Sequence, residues 1–249
     1  MFQFSELDDE SKRIIASCCP DDDQEEHCGL VVRKGGTTAI LECRNMAAAE
    51  NRKSFFRIDP SAFETAEDSG GEVLATWHSH WSGTSKPSVE DKSYTEEIQI
   101  PAVIYAVLLK EWGFYVPHGW MAPLENRPWA HGTLDCYGLV RDYYWEILQV
   151  DLPDFERKDN WWFEGGNLYL DNLSKAGFSR VPELKTHDAI LMQILGSPVP
   201  NHVGVYLGDG VMLHHLLEKV SCKQVYFPAF GYFADRTVGY YRHESQMHL

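Results

Sequence analysis

Thr76 to Asp91 reads TWHSHWSGTSKPSVED, and the fold of the first half of the chain turns on it. His78 and His80 stand two apart; Ser88 follows after seven intervening residues and Asp91 after two more. Side chains alternate faces along an extended strand, so the two imidazoles point the same way. A short turn that returns a carboxylate to them makes three ligands for a zinc ion, Zn2+. Three protein ligands leave a fourth position for water, the arrangement of a catalytic rather than a structural zinc site. A plainer reading uses the same residues. Ser-x-x-Asp after a proline starts a helix, with Ser88 as N-cap and Asp91 reaching back to it. Both readings can hold together, because a helix start is a rigid place from which to hang a ligand.

Upstream, residues 5–18 read as a helix with Ser5 as N-cap and Asp8 at its third position. The acidic run Asp21, Asp22, Asp23, Glu25 and Glu26 reads as a solvated loop. Gly29 to Arg33 and Thr37 to Cys43 read as strands of a hairpin about Gly35-Gly36. Phe55 to Ile58 reads as a short strand. Asp59-Pro60 opens a helix that stops near Gly70-Gly71. Val73 to His80 is then the strand of the histidines, Val89 to Ile98 the helix of Asp91, and Ala102 to Leu109 a buried strand. Strands and helices alternate irregularly, which is the α+β pattern. Gly113 to Pro128 is rich in glycine and proline and lacks a period, so the boundary falls there, between domains at 1–115 and 116–249.

The second half opens on LDCYGLV, residues 134–140. Apolar positions at 136, 139, 140, 143, 144, 147 and 148 follow a helical period, with Asp135 as N-cap. Cys136 therefore lies in the first helical turn, where aligned peptide dipoles favour a thiolate. A buried cysteine acting as a small apolar residue is the alternative. Further on, HVGVYLGDGVMLHHL spans 202–216. Two strands, His202 to Leu207 and Val211 to Leu216, flank a turn at Gly208-Asp209-Gly210. With a three-residue loop, Leu207 faces Val211 and Gly204 faces His214. His202 and His214 are then diagonal neighbours, a base imidazole oriented by a second one, and His215 points away. A two- or four-residue loop hands the orienting role to His215. A hairpin with surface histidines is the plainer alternative.

The totals exclude some partners. The chain has 249 residues with a formal net charge of −15, from 37 acidic and 22 basic side chains. That balance argues against nucleic acid or an anionic membrane surface as the main partner. The six cysteines show no C-x-x-C spacing, which points to synthesis in a reducing compartment. The N-terminal stretch has no basic segment followed by an apolar core, so no signal peptide is expected, and no apolar run is long enough for membrane insertion.

Two family resemblances sharpen these readings. H-S-H-x7-S-x2-D resembles the metal motif of the JAMM (MPN+) metallopeptidases. That resemblance implies a cytidine-deaminase-like mixed sheet with helices, and a glutamate upstream just before Cys-Gly; Glu26-His27-Cys28-Gly29 looks like that element. It implies that Glu26 takes a proton from metal-bound water and that Ser88 helps stabilise the oxyanion. Trp81 departs from the family, which often has proline there, and alters the rim of the cleft. The second half resembles the NlpC-type cysteine peptidases, with D-C-[SY]-G-L-[VI] and H-V-[GA]-[IV]-Y-L-G-x-G. It implies a papain-like α+β domain in which Cys136 is nucleophile, His202 base and His214 the orienting residue. The order of the two domains, with NRPWAHGTLDCYGLVRDYYWE at the join, resembles the tail assembly protein K family of lambda-like phages. That implies a protein made in the host cytoplasm and carried at the virion tail tip among other tail tip proteins. It would act at the periplasmic cell wall on peptidoglycan stem peptides. The rival expectation is a non-enzymatic assembly factor or structural plug with dormant peptidase folds.

Overall fold

In the computed structural model, which describes residues 2–49, 51–158 and 160–247, the first helix is α1 (Asp9–Ser17). Its cap is Asp8, not Ser5: the Asp8 carboxylate accepts from the Ser11 amide at 2.7 Å. Residues 4–6 form a separate 3-10 turn. The break at Leu7 lets Phe2 and Leu7 both reach the core. The hairpin follows as β1 (Cys28–Lys34) and β2 (Thr37–Cys43), in register from Lys34 opposite Thr37 to Cys28 opposite Cys43.

Phe55 to Ile58 is not a strand. The segment is extended, but its backbone is served by a side chain: Asn45 Nδ2 donates to the Phe55 carbonyl and Asn45 Oδ1 accepts from the Arg57 amide. Phe56 and Ile58 are nonetheless buried, which is the apolar signal that the sequence carries. Next come α2 (Pro60–Asp68), capped by Asp59, then β3 (Glu72–His80) and α3 (Val89–Ile98). They are followed by β4 (Ala102–Ala106) and β5 (Glu111–Tyr115). The apolar run to Leu109 overstates β4. Leu108 and Leu109 are each 52% exposed in the turn to β5, a strand whose last three residues the sequence reading assigns to the linker. Apolarity alone does not separate a strand from the turn that follows it.

The sheet order is β2-β1-β3-β4-β5. Only the β3–β4 pair is parallel, and α3 is the crossover that such a pair requires. Val31, Trp77, Val103 and Tyr105 pack with Ile15 of α1 on one face. Leu30 and Val32 pack with Ala66 of α2, Phe56 and Tyr94 of α3 on the other.

This first unit spans Met1–Met121 and a second spans Ala122–Leu249. The second opens its regular structure with α4 (Cys136–Leu148) and the short α5 (Leu168–Asn172). Its strands are β6 (Phe178–Val181), β7 (Ala189–Met192), β8 (His202–Gly208), β9 (Val211–His214), β10 (Cys222–Val225) and β11 (Thr237–His243). They form an antiparallel sheet in the order β10-β9-β8-β7-β11-β6. One face packs Leu139, Val140, Tyr143 and Tyr144 of α4 against Leu191, Val203, Val205 and Leu213. Ile190, Met192, Met212 and Tyr226 form the core of the other. Both units are thus α+β. Among the described residues no helix is long and apolar enough to cross a membrane.

Candidate functional site

In the first unit the alternation of β3 sends Trp77 into one core face and His78 and His80 to the other. His78 is fully buried and stacks on Phe56, with ring centres 4.3 Å apart. Asp91 is the third residue of α3. The Ser88 amide donates to Asp91 Oδ2 at 2.7 Å, and the Asp91 amide donates to Ser88 Oγ at 3.0 Å. The capping box therefore forms, and in forming it presents the carboxylate to the histidines. His78 Nε2 lies 3.1 Å from Asp91 Oδ1, His80 Nε2 lies 3.2 Å from Asp91 Oδ2, and the two Nε2 atoms are 3.1 Å apart.

This donor set fits a metal ion. Bonds of about 2.0–2.2 Å in tetrahedral geometry separate neighbouring ligand atoms by roughly 3.3 Å. His80 Nδ1 is 2.8 Å from the Thr84 carbonyl, which takes its proton and leaves the Nε2 lone pair toward Asp91. Among the described residues, His78, His80 and Asp91 are the one group of His, Cys, Asp or Glu whose ligand atoms converge in this way. Burial pushes the Asp91 carboxyl up, but His78 and then His80 outweigh it and hold it well below the usual range.

Glu26 is outside the converging donor set but feels the charges of Asp91 and His80. Its backbone is pinned by its amide to the Arg52 carbonyl at 2.6 Å and by Asn45 Nδ2 at its carbonyl. Its side chain is 7% exposed, and burial, then the charge of Asp91, push the carboxyl up to about 8. Ser88 Oγ is spent as an acceptor at the helix cap, which leaves its O–H to donate. Trp81 Nε1 donates to the Asp21 carbonyl at 2.9 Å, so the rim residue ties down the acidic loop.

In the second unit Asp135 caps α4 by accepting from the Gly138 amide at 2.8 Å. Its other oxygen accepts from the Gly132 amide and from Arg157 Nε at 2.6 Å. Cys136 follows at the helix start, 6% exposed, with Sγ 3.1 Å from Tyr169 Oη. Other influences outweigh the helix start at this thiol. Burial, then the neighbouring Asp135, push it up to about 11, against the hydrogen bonds from Tyr169 and the Val203 amide. Cys136, His202, Tyr169, Trp129, Trp161 and Leu195 line one cavity of about 30 Å3.

His202 Nε2 lies 3.0 Å from His214 Nδ1, and both rings are buried. The register that joins them differs from the one expected. Gly208 pairs with Val211, so the turn is only Asp209-Gly210, both with positive φ. A bulge between Tyr206 and Gly208 leaves Leu207 without a partner and restores Gly204 opposite His214. Two departures cancel, and His214 keeps its place beside His202. His215 points elsewhere, with Nε2 2.9 Å from the Lys219 carbonyl and its ring edge-on to Trp129. Burial holds His202 well below the ordinary histidine range and His214 at about 4.

Sequence reasoning missed Phe56 and Thr84 in the first site and Arg157 and Tyr169 in the second. Thr84 acts through its carbonyl, on which residue identity is silent. Tyr169 reaches Cys136 from another element, and no local pattern joins them.

Comparison with known proteins defines the class. Residues 9–123 match the model for prokaryotic homologs of the JAB domain, and residues 119–242 match the NlpC/P60 family. The chain is 36% identical over 176 residues to tail tip assembly protein K of Escherichia phage lambda, covering 70% of this chain and 84% of that protein. It is 30% identical over 223 residues to tail tip assembly protein K of Escherichia phage N15, covering 88% of each. The chain belongs to the tail tip assembly protein K family. Among solved structures, it is similar to an NLP/P60 family lipoprotein-like protein of Staphylococcus aureus. The two are 18% identical, the match covers 48% of this chain and 37% of that one, and the TM-score is 0.33.

Proposed function

We propose that the chain is a phage tail tip protein with two peptidase centres, which opens the cell wall locally by hydrolysing peptidoglycan stem peptides during DNA delivery. Residues 1–115 carry the metal-dependent centre and residues 116–249 the thiol-dependent one. The protein is made in the host cytoplasm, docks on other tail tip proteins, and acts from the virion tail tip at the periplasmic wall.

In the first centre His78, His80 and Asp91 hold Zn2+, which when bound lowers the pKa of its water toward neutrality. Glu26 accepts and returns a proton beside the ligands, a role suited to a carboxyl raised toward neutral pH. The Ser88 O–H donates to the oxyanion. In the second centre the resting pair is a neutral thiol and a neutral imidazole. With His202 Nε2–H donating to His214 Nδ1, the free lone pair is on His202 Nδ1, and that atom takes the Cys136 proton. The thiolate attacks the peptide carbonyl, the amine leaves with the proton from His202, and water resolves the thioester.

The observation that carries this reading is the His202–His214 pair at 3.0 Å, with His202 lining the same cavity as Cys136 at a helix start. A second reading, a non-enzymatic assembly or plug protein with dormant peptidase folds, draws support from the burial of Cys136 and His202, which are 6% and 2% exposed. Release of muropeptides from purified peptidoglycan separates the two. The wild-type chain is expected to release them, Cys136→Ala to lose thiol-dependent cleavage, and His78→Ala to lose both bound zinc and metal-dependent cleavage. No release by the wild type, alone and with other tail tip proteins, selects the dormant reading. Zinc retained undiminished in His78→Ala removes the metal assignment.

A further inference from the structure

We propose that Tyr169 is a further catalytic residue, its phenolic hydroxyl being the hydrogen-bond donor that stabilises the Cys136 thiolate; this rests on reading Cys136 as the nucleophile. Tyr169 lies on α5, far from the Asp135-Cys136 motif in sequence, yet its Oη is 3.1 Å from Cys136 Sγ with both side chains buried. Its ring is braced edge-on by Trp161 at 5.8 Å and Tyr137 at 6.3 Å. The hydroxyl is thus held at the sulfur by packing, before any substrate arrives, which is what preorganised charge stabilisation requires.

The groups around the thiol show why a donor is needed. Asp135 stands beside it with a negative charge that opposes a thiolate. Arg157 favours the thiolate through its charge, but its hydrogen bonds go to Asp135, Asp154 and the carbonyls of Gly132 and Phe155. His131 turns Nε2 to the carbonyls of Arg157 and Lys158. His202 receives the proton, and its Nε2 is engaged by His214. The Val203 amide and the Tyr169 hydroxyl are hydrogen-bond donors at the sulfur. Tyr169 cannot give up its own proton first. A phenol is a weaker acid than a thiol, and burial holds this one well above its ordinary range. In the step itself the proton leaves Cys136 Sγ for His202 Nδ1, the S–H electron pair stays on sulfur, and Tyr169 keeps its proton while donating to that sulfur. As the S–C bond forms, the charge passes to the carbonyl oxygen and the donation to sulfur weakens.

The test is Tyr169→Phe, which keeps the ring and removes the hydroxyl. Brief iodoacetamide labelling across pH 6 to 10, mapped by mass spectrometry, reads Cys136 against the other cysteines of the same chain. A hydrogen bond to a charged group is worth about ten- to a hundredfold in an equilibrium. Labelling of Cys136 is therefore expected to slow about tenfold or more across this range, in which the thiol is mostly protonated and the rate follows its small thiolate fraction. Labelling as fast as in the wild type, or faster, overturns the proposal, because a tyrosine that merely shields the thiol gives that result. Urea denaturation reports on the folding of the second unit, which holds both Tyr169 and Cys136. If Tyr169→Phe is markedly destabilised there, site-specific replacement of Tyr169 by fluorotyrosine supplies the test with the opposite sign. Its more acidic hydroxyl is expected to speed Cys136 labelling, and an unchanged rate overturns the proposal. Stem-peptide hydrolysis by the wild type, measured in parallel, separates the two ideas. Hydrolysis with Tyr169-independent labelling removes Tyr169 alone; Tyr169-dependent labelling without hydrolysis removes the peptidase reading.

Discussion

Two adjacent histidines at the end of one strand have different neighbours and so different consequences. His214 meets His202 through Nδ1, whereas His215 meets a backbone carbonyl and the edge of Trp129. On the peptidase reading, His214→Ala is expected to slow the thiol-dependent chemical step of the folded protein by about tenfold to a thousandfold, as general-base contributions do, although it empties a buried site. His215→Ala empties a buried site and strands the Lys219 carbonyl, at a cost of roughly 1–3 kcal/mol of stability. Turnover on a stem peptide and urea denaturation of both variants check this. A crippled His215→Ala that retains full stability would assign the roles the other way round. From the sequence, period-2 alternation places both histidines on a strand but not on a face. The face depended on the bulge at Leu207, which no residue type in that stretch announces.

At the level of elements, the hairpin β1–β2 holds the first sheet together through one close approach. Gly29 sits where the Trp77 indole crosses to donate from Nε1 to the Leu41 carbonyl at 3.2 Å. A Cβ on Gly29 would overlap that carbonyl and stand 2.6 Å from Trp77 Nε1. Both are parts of packed strands and have no free direction in which to yield. Gly29→Ala is therefore expected to destabilise the first unit by about 2 kcal/mol or more, at the upper end of overpacking costs. Chemical denaturation followed by tryptophan fluorescence measures it, and a loss under about 0.5 kcal/mol would mean that β1 and β2 separate easily. Caps made α2, α3 and α4 legible in the sequence, because Asp59, Ser88 and Asp135 bond amides only two or three residues away. The extended stretch at 55–58 misled for the opposite reason: the Phe55 carbonyl and the Arg57 amide bond the side chain of Asn45, and the Arg57 carbonyl accepts from the Met46 amide.

Across the whole molecule, two units with separate cores should unfold in separable steps that answer to different chemistry. If the first holds zinc, a chelator lowers the transition of that unit alone, since a ligand stabilises only the fold that binds it. Acid acts on the second. His202, His214, His215 and His243 all have folded-state pKa values below the ordinary 6.5, with burial the first cause in each case. The unfolded chain therefore binds more protons than the folded one below that value. Stability is fully present above about pH 6.5 and is lost as pH falls toward 4, the folded value of His214 and His215. Calorimetry is expected to show the first transition lowered by chelator at pH 7, and the second lowered between pH 7 and pH 5 with chelator present throughout. A single transition unmoved by either would contradict this partition. The sequence by itself determined the α+β class, the order of the two domain types, and the motif residues His78, His80, Asp91, Cys136 and His202. Those signals are local, carried by strand alternation, helix caps and motif spacing. Only the tertiary structure decided that a bulge pairs His214 with His202, that burial raises the Cys136 thiol, and that Tyr169 stands at its sulfur. Those depend on how distant segments pack and on how much water they exclude, and neither is written in the spacing of neighbouring residues.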